Sequence, residues 1–90
     1  MTSRYFAAFC LPVPGEPVPA RFGFTTPRAL GKAVKRNRIK RRMREAVRAQ
    51  LEVLPANFAI VFNPRRTVLE APFEDLCREV GRIFARCRQS

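Results

Sequence analysis

The stretch from Lys32 to Arg48, KAVKRNRIKRRMREAVR, decides how the rest of the chain is read. Ile39, Met43, Ala46 and Val47, continued by Gln50, Leu51 and Leu54, recur every three or four residues. That stripe, apolar except for Gln50, predicts a helix from about Ala33 to Leu54 that packs on a sheet. On a wheel of about 100° per residue, Arg38, Arg41 and Arg48 lie opposite the stripe, with Asn37 beside them. Arg42 and Arg44 flank it, and Lys40 sits at its edge. The phase slips before Ile39, where Lys32 and Arg36 would fall on the apolar side. These two belong to an early turn beyond the edge of the packing partner, or to a loop leading into the helix.

The same stretch carries most of the charge. With Arg28 it brings ten cations into residues 28–48, against one acid, Glu45. The segment is +9 of a net +11 for the whole chain. A merely solvated helix face mixes signs, because like charges at i,i+4 cost a few tenths of a kcal/mol per pair. Arg38 with Arg41 and Arg42, and Arg44 with Arg48, repeat that cost with little compensation. A polyphosphate partner offsets it, and the excess of arginine over lysine suits bidentate phosphate recognition. Asn37 is a poor helix former, yet its amide can donate and accept at a base or sugar. Lys32, Lys35, Arg36, Asn37, Arg38, Lys40, Arg41, Arg42, Arg44 and Arg48 are therefore the candidate contacts to a nucleic-acid polyphosphate.

Outside this helix the chain reads as four further elements. Tyr5 to Leu11, YFAAFCL, is an apolar, aromatic strand. Arg21 to Thr26, RFGFTT, alternates Phe22 and Phe24 against Arg21, Gly23 and Thr25, the pattern of a half-buried strand. Between them PVPGEPVP, residues 12–19, holds four prolines in eight residues and reads as a stiff turn that pairs the two strands. Asn57 to Asn63, NFAIVFN, lies between Pro55 and Pro64 as a buried strand. From Pro72 to Cys87, Phe73, Leu76, Cys77, Val80, Phe84 and Cys87 fall at helical spacing. Glu74 and Asp75 near the start, and Arg86 and Arg88 near the end, suit the helix dipole. The order strand–strand–helix–strand–helix in 90 residues, 47% of them hydrophobic, predicts one small α+β domain over residues 1–90.

The cysteines, at positions 10, 77 and 87, lack the close spacing of a zinc or redox motif. Cys77 and Cys87 on one helix stand roughly 15 Å apart along its axis, beyond disulfide reach. All three are expected to be small buried hydrophobes in a reducing compartment. The longest uncharged stretch, Tyr5 to Gly15, is broken by Pro12 and Pro14 and is too short to span a bilayer. The same prolines, with no small-residue cleavage site, argue against a signal peptide. The chain is expected in the cytoplasm, with no membrane partner, as a monomer.

Among polyanions, RNA is favoured over DNA. A helix-turn-helix reader belongs to a helical domain, and a basic zipper needs heptads that are absent here. RNA recognition uses shape, backbone contacts and bases stacked on aromatics. Phe6, Phe9, Phe22 and Phe24 are available for stacking, although filling the core under the helices is the expected role of most of them.

The segment KAVKRNRIKRRMREAVR also resembles the protein component of bacterial ribonuclease P. The resemblance rests on the triplet Arg36-Asn37-Arg38 followed by Lys40, Arg41 and Arg44. Arg21, Phe22 and Gly23 precede it, Gly31 to Val34 lead into it, and Phe58 to Pro64 and a closing helix follow. It covers roughly residues 5–87. The resemblance implies an α/β sandwich with a left-handed β-α-β crossover, against the right-handed default. It implies a catalytic RNA as partner, whose bound Mg²⁺ supplies the hydrolysis, and precursor tRNA as substrate, from which the 5′ leader is removed. It implies RNA contacts at Arg36, Asn37, Arg38, Lys40, Arg41 and Arg44, and a leader contact at Phe9. Family members also carry a basic tail and a phenylalanine-bearing helix before the first strand. This chain starts almost at that strand, so one wall of the leader cleft is expected to be missing. Thr25-Thr26-Pro27-Arg28-Ala29 replaces Ser-Val-Ser-Lys-Lys of the family pattern, and Asn63 stands where an arginine often precedes the proline.

The chain itself offers no catalyst. It has no histidine for acid–base work near neutral pH. Asp75 and Glu79 form at best a two-carboxylate pair on one helix, more simply read as a soluble face than as a two-metal site. The protein alone is expected to cleave nothing and to hold no cofactor. A structural RNA-binding protein, ribosomal or for assembly, is the alternative from a different class. Composition does not separate the two; the Arg36-Asn37-Arg38 context favours the first.

Overall fold

The structure is a computed structural model and describes residues 2–15, 21–50 and 57–89. Strand β1 spans Phe6–Pro12, β2 Arg21–Phe24, helix α1 Ala33–Arg48, β3 Phe58–Pro64 and helix α2 Phe73–Gln89. Two short 3-10 turns, Arg28–Leu30 before α1 and Arg66–Leu69 after β3, were not legible as separate elements. The succession strand–strand–helix–strand–helix is the one the hydrophobic patterning predicts.

The strand pairing differs from expectation. β1 and β2 do not form a hairpin; the sheet order is β1-β3-β2. β3 sits in the centre, antiparallel to β1 and parallel to β2, so Phe6 faces Pro64 across one edge and Phe24 faces Phe62 across the other. The reason lies in β3 itself. Ala59, Ile60, Val61 and Phe62 are apolar on both faces, which suits a central strand, whereas β1 ends on Pro12 and cannot donate there. A parallel neighbour needs a long crossover, and α1 supplies it between β2 and β3.

Both helices cover one face of the sheet. Phe6 and Ala8 of β1, Ile60 and Phe62 of β3, Ile39, Met43, Ala46 and Val47 of α1, and Leu76, Val80, Ile83, Phe84 and Cys87 of α2 form one buried cluster. Phe62 is its hub. Phe6 meets it edge-on, with ring centroids 5.3 Å apart and planes at 80°. Phe24 stacks on it at 5.7 Å. Phe22 lies 6.5 Å from Phe62 and 5.6 Å from Phe84. Aromatic pairs of this kind contribute about 0.5–1.5 kcal/mol each beyond their area. The apolar stripe of α1 thus points where the wheel puts it. Gln50, its polar member, lies over Gly81 of α2, where an added Cβ would stand 3.0 Å from the Gln50 Oε1. Leu51 and Leu54 lie outside the described residues; α1 ends at Arg48, followed by a turn at Ala49 and Gln50.

The other face of the sheet is open among the described residues. Phe9 is 53% exposed and Leu11 57%. The register sets Phe9, Val61 and Gly23 in one row across the three strands, and Leu11, Ala59 and Arg21 in the next. The apolar run YFAAFCL hides this alternation, because both faces of β1 carry hydrophobic side chains.

The cysteine expectation needs a correction. Cys10 and Cys87 are joined in a disulfide, with Cα atoms 6.4 Å apart and 77 residues between them in sequence. The last turns of α2 pack against the helix-facing side of β1, and sequence spacing carries no trace of that approach. Cys77 is free and half-buried, as its distance along the helix from Cys87 requires. Burial, with the Glu74 carboxylate adding to it, raises the Cys77 thiol above its ordinary value.

Candidate nucleic-acid interface

The basic helix divides into an outward row and an inward group. Asn37, Arg38, Arg41, Arg44 and Arg48 are exposed, and so are Lys32 and Lys35 at the start. Behind them Ile39, Met43, Ala46 and Val47 are buried, which fixes the rotation of α1 about its axis. The core thereby sets the direction in which the outward cations leave the helix. The two ion pairs among the described residues both lie in α2: Arg82–Glu79 at 2.6 Å and Arg78–Asp75 at 3.4 Å. Neither touches α1.

Arg42 and Arg36 are placed differently. Arg42 is half-buried and turns toward the chain after β3. Its Nε donates to the Val68 carbonyl at 2.9 Å, and its Nη2 donates to the carbonyl of Ala71. Both acceptors would otherwise lie uncapped around the 3-10 turn that leads into α2. Arg36, in the first turn of α1, reaches back to the Thr26 carbonyl, with Nη1 at 3.5 Å, and its Nε is buried without a hydrogen-bond partner. Lys40 is half-buried at the flank. The ten candidates thus do not form one uniform surface. Arg42 is occupied inside the fold, and Arg36 is partly so.

Two arginines after β3 also divide. Arg65 is exposed, whereas the Arg66 Nη2 donates to the Ala29 carbonyl at 2.6 Å and ties the two 3-10 turns together. Thr25 and Asn63 hydrogen-bond through their side chains at the end of the β2–β3 ladder. Asn63 therefore has a structural partner at the position where the family pattern favours arginine. Gly31, with φ +126°, makes the turn into α1, and a Cβ there would press against Lys35.

Phe9, the candidate leader contact, lies on the open sheet face, away from the buried cluster. Of the four phenylalanines available for stacking, Phe6 is buried and Phe22 and Phe24 pack against the core. Leu11 and Arg21 share the open face with Phe9 and were not singled out by sequence. On α2, Asp75 pairs with Arg78 and Glu79 with Arg82, each one turn along the helix.

The family model for ribonuclease P matches residues 1–88, nearly the whole chain. The chain belongs to the ribonuclease P protein family. It is 43% identical over 87 residues to the ribonuclease P protein component of Chloroflexus aggregans, covering 92% of this chain and 64% of that protein. It is 46% identical over 68 residues to that of Symbiobacterium thermophilum, covering 76% of this chain and 59% of that protein. The chain thus spans less than two thirds of the length of these curated relatives. The RNase P protein from Thermotoga maritima superposes with a TM-score of 0.81 at 29% identity, over 96% of this chain and 80% of that one. The ribonuclease P protein fold is therefore the one built here from three mixed strands and two helices.

Proposed function

We propose that this chain is the protein subunit of a ribonuclease P ribonucleoprotein. It binds the catalytic RNA through α1 and assists removal of the 5′ leader from precursor tRNA. The observation that carries this reading is the outward row of Asn37, Arg38, Arg41 and Arg48, exposed on a helix whose opposite side is locked into the core. A row of cations with no ion-pair partner among the described residues lowers the repulsion between RNA strands brought close together. Family membership supports the identity of the RNA.

On this reading the open sheet face, with Phe9, offers the leader an apolar surface for unstacked bases. Mg²⁺ belongs to the RNA and supplies the hydrolysis; the chain contributes charge and position and has no catalytic side chain of its own. The subunit works in the cytoplasm as a monomer. No described helix is long and apolar enough to cross a membrane.

A direct test compares affinity for the ribonuclease P RNA with affinity for an unrelated structured RNA of equal length, across a salt series. Preference for the former that persists as salt rises supports the subunit reading. Equal affinity with equal salt slopes would point to a general structural RNA binder.

A further inference from the structure

We propose that the cleft between β2 and α1 is a seat for one unstacked nucleotide of single-stranded RNA, its base on the phenylalanines of β2 and its phosphate on the cations of α1. The proposal rests on the RNA-binding reading above and adds a base-recognising site to it. The cleft measures about 380 Å³, within the range of pockets that take one small ligand. Phe22, Phe24 and Val47 form its apolar floor, and Lys40, Arg44 and Arg48 line its α1 side.

Three features argue for a nucleotide. Lys40, Arg44 and Arg48 are spaced i, i+4, i+8, so they stand in one row along a single flank of α1. None of them faces an acid among the described residues, so an anion is the complementary occupant. Next, Phe22 and Phe24 are braced from behind by Phe62 and Phe84, so their exposed portions are held in fixed orientation. A braced aromatic surface favours a flat ring system over a flexible apolar chain. Last, β2 is an edge strand. The Thr25 N–H donates to the Phe62 carbonyl, so by strand alternation Phe22 and Phe24 direct their own N–H and C=O groups away from β3, along the free edge. That edge offers donors and acceptors to the rim of a base.

A free phosphate would leave the floor uncovered, and an apolar peptide would leave three cations uncompensated. A nucleotide within a duplex has its base stacked and paired, so the occupant comes from a single-stranded stretch.

The test uses the full chain and two fluorescent RNA strands of equal length and charge, an oligoadenylate octamer and its abasic counterpart. Wild type should bind the oligoadenylate roughly tenfold more tightly, the scale of one stacked base. Phe24→Leu, which keeps an apolar side chain at that position, should erase that preference. In wild type, the Gly23 and Phe24 amide resonances should shift with the base-bearing strand and not with the abasic one, a readout that stands even if the variant does not fold. Equal affinity of wild type for both strands, unmoved amides, or a preference that survives in Phe24→Leu would overturn the nucleotide seat while leaving RNA binding intact. Failure to bind either strand would overturn the RNA-binding reading with it.

Discussion

The Nε of Arg42, in the middle of the basic run, donates to the carbonyl oxygen of Val68 at 2.9 Å. A side chain that sequence places among the RNA contacts is thereby a strut between α1 and the turn before α2. The Ala71 carbonyl accepts from the same guanidinium. Removing Arg42 leaves two carbonyls without their charged donor. Arg42→Ala should destabilise the fold by about 1.5–3 kcal/mol, the scale of a hydrogen bond to a charged group. Thermal unfolding checks this, and the salt dependence of RNA binding should stay near that of wild type.

Arg38 and Arg41 should behave in the opposite way. Both are exposed, and neither forms an ion pair among the described residues. Arg38→Ala or Arg41→Ala should leave the melting temperature unchanged and weaken RNA binding. The slope of log affinity against log salt should flatten by roughly one unit for each lost phosphate contact. A filter-binding series at several salt concentrations decides it.

Ile39 reports on the other side of the helix. It is fully buried against the sheet and α2. Ile39→Ala should cost about 2–5 kcal/mol of stability through lost contacts and the cavity left behind. Its effect on RNA affinity should vanish at temperatures where the variant is folded.

These contrasts show what the sequence made legible. The stripe of Ile39, Met43, Ala46 and Val47 is a period, and a period survives in one dimension; it located the buried face and, by subtraction, the outward row. The role of Arg42 is not a period. It depends on carbonyls 26 and 29 residues away that reach it only after β3 and α2 have folded. The position of β3 between β1 and β2 was hidden for a related reason. Chain adjacency favoured a hairpin, and only the two-sided apolar character of Ala59 to Phe62 pointed to a central strand. Phe9 and Leu11 were obscured because every residue of their strand is apolar or aromatic, so hydrophobicity did not tell the two faces apart.

The Cys10–Cys87 disulfide closes a loop across most of the chain. By the chain-entropy account a loop of this length stabilises the fold by about 4.5 kcal/mol. Chain purified without reductant should show a mass two units below that of the reduced form and should melt higher than the same chain in excess dithiothreitol. In a reducing cytoplasm the thiol form would be the working one. Equal melting in both states would show that the bridge does not constrain the fold.

We propose that this protein, with no catalytic side chain of its own, lets an RNA work where it otherwise fails. The measurement closest to that proposal mixes the chain with the ribonuclease P RNA of its own organism and labelled precursor tRNA at low Mg²⁺, and follows release of the 5′ leader. The account predicts cleavage with both components present, none with the protein alone, and little with the RNA alone until Mg²⁺ is raised. Tight binding of the RNA without rescue of cleavage, or site-specific cleavage by the protein without RNA, would contradict it.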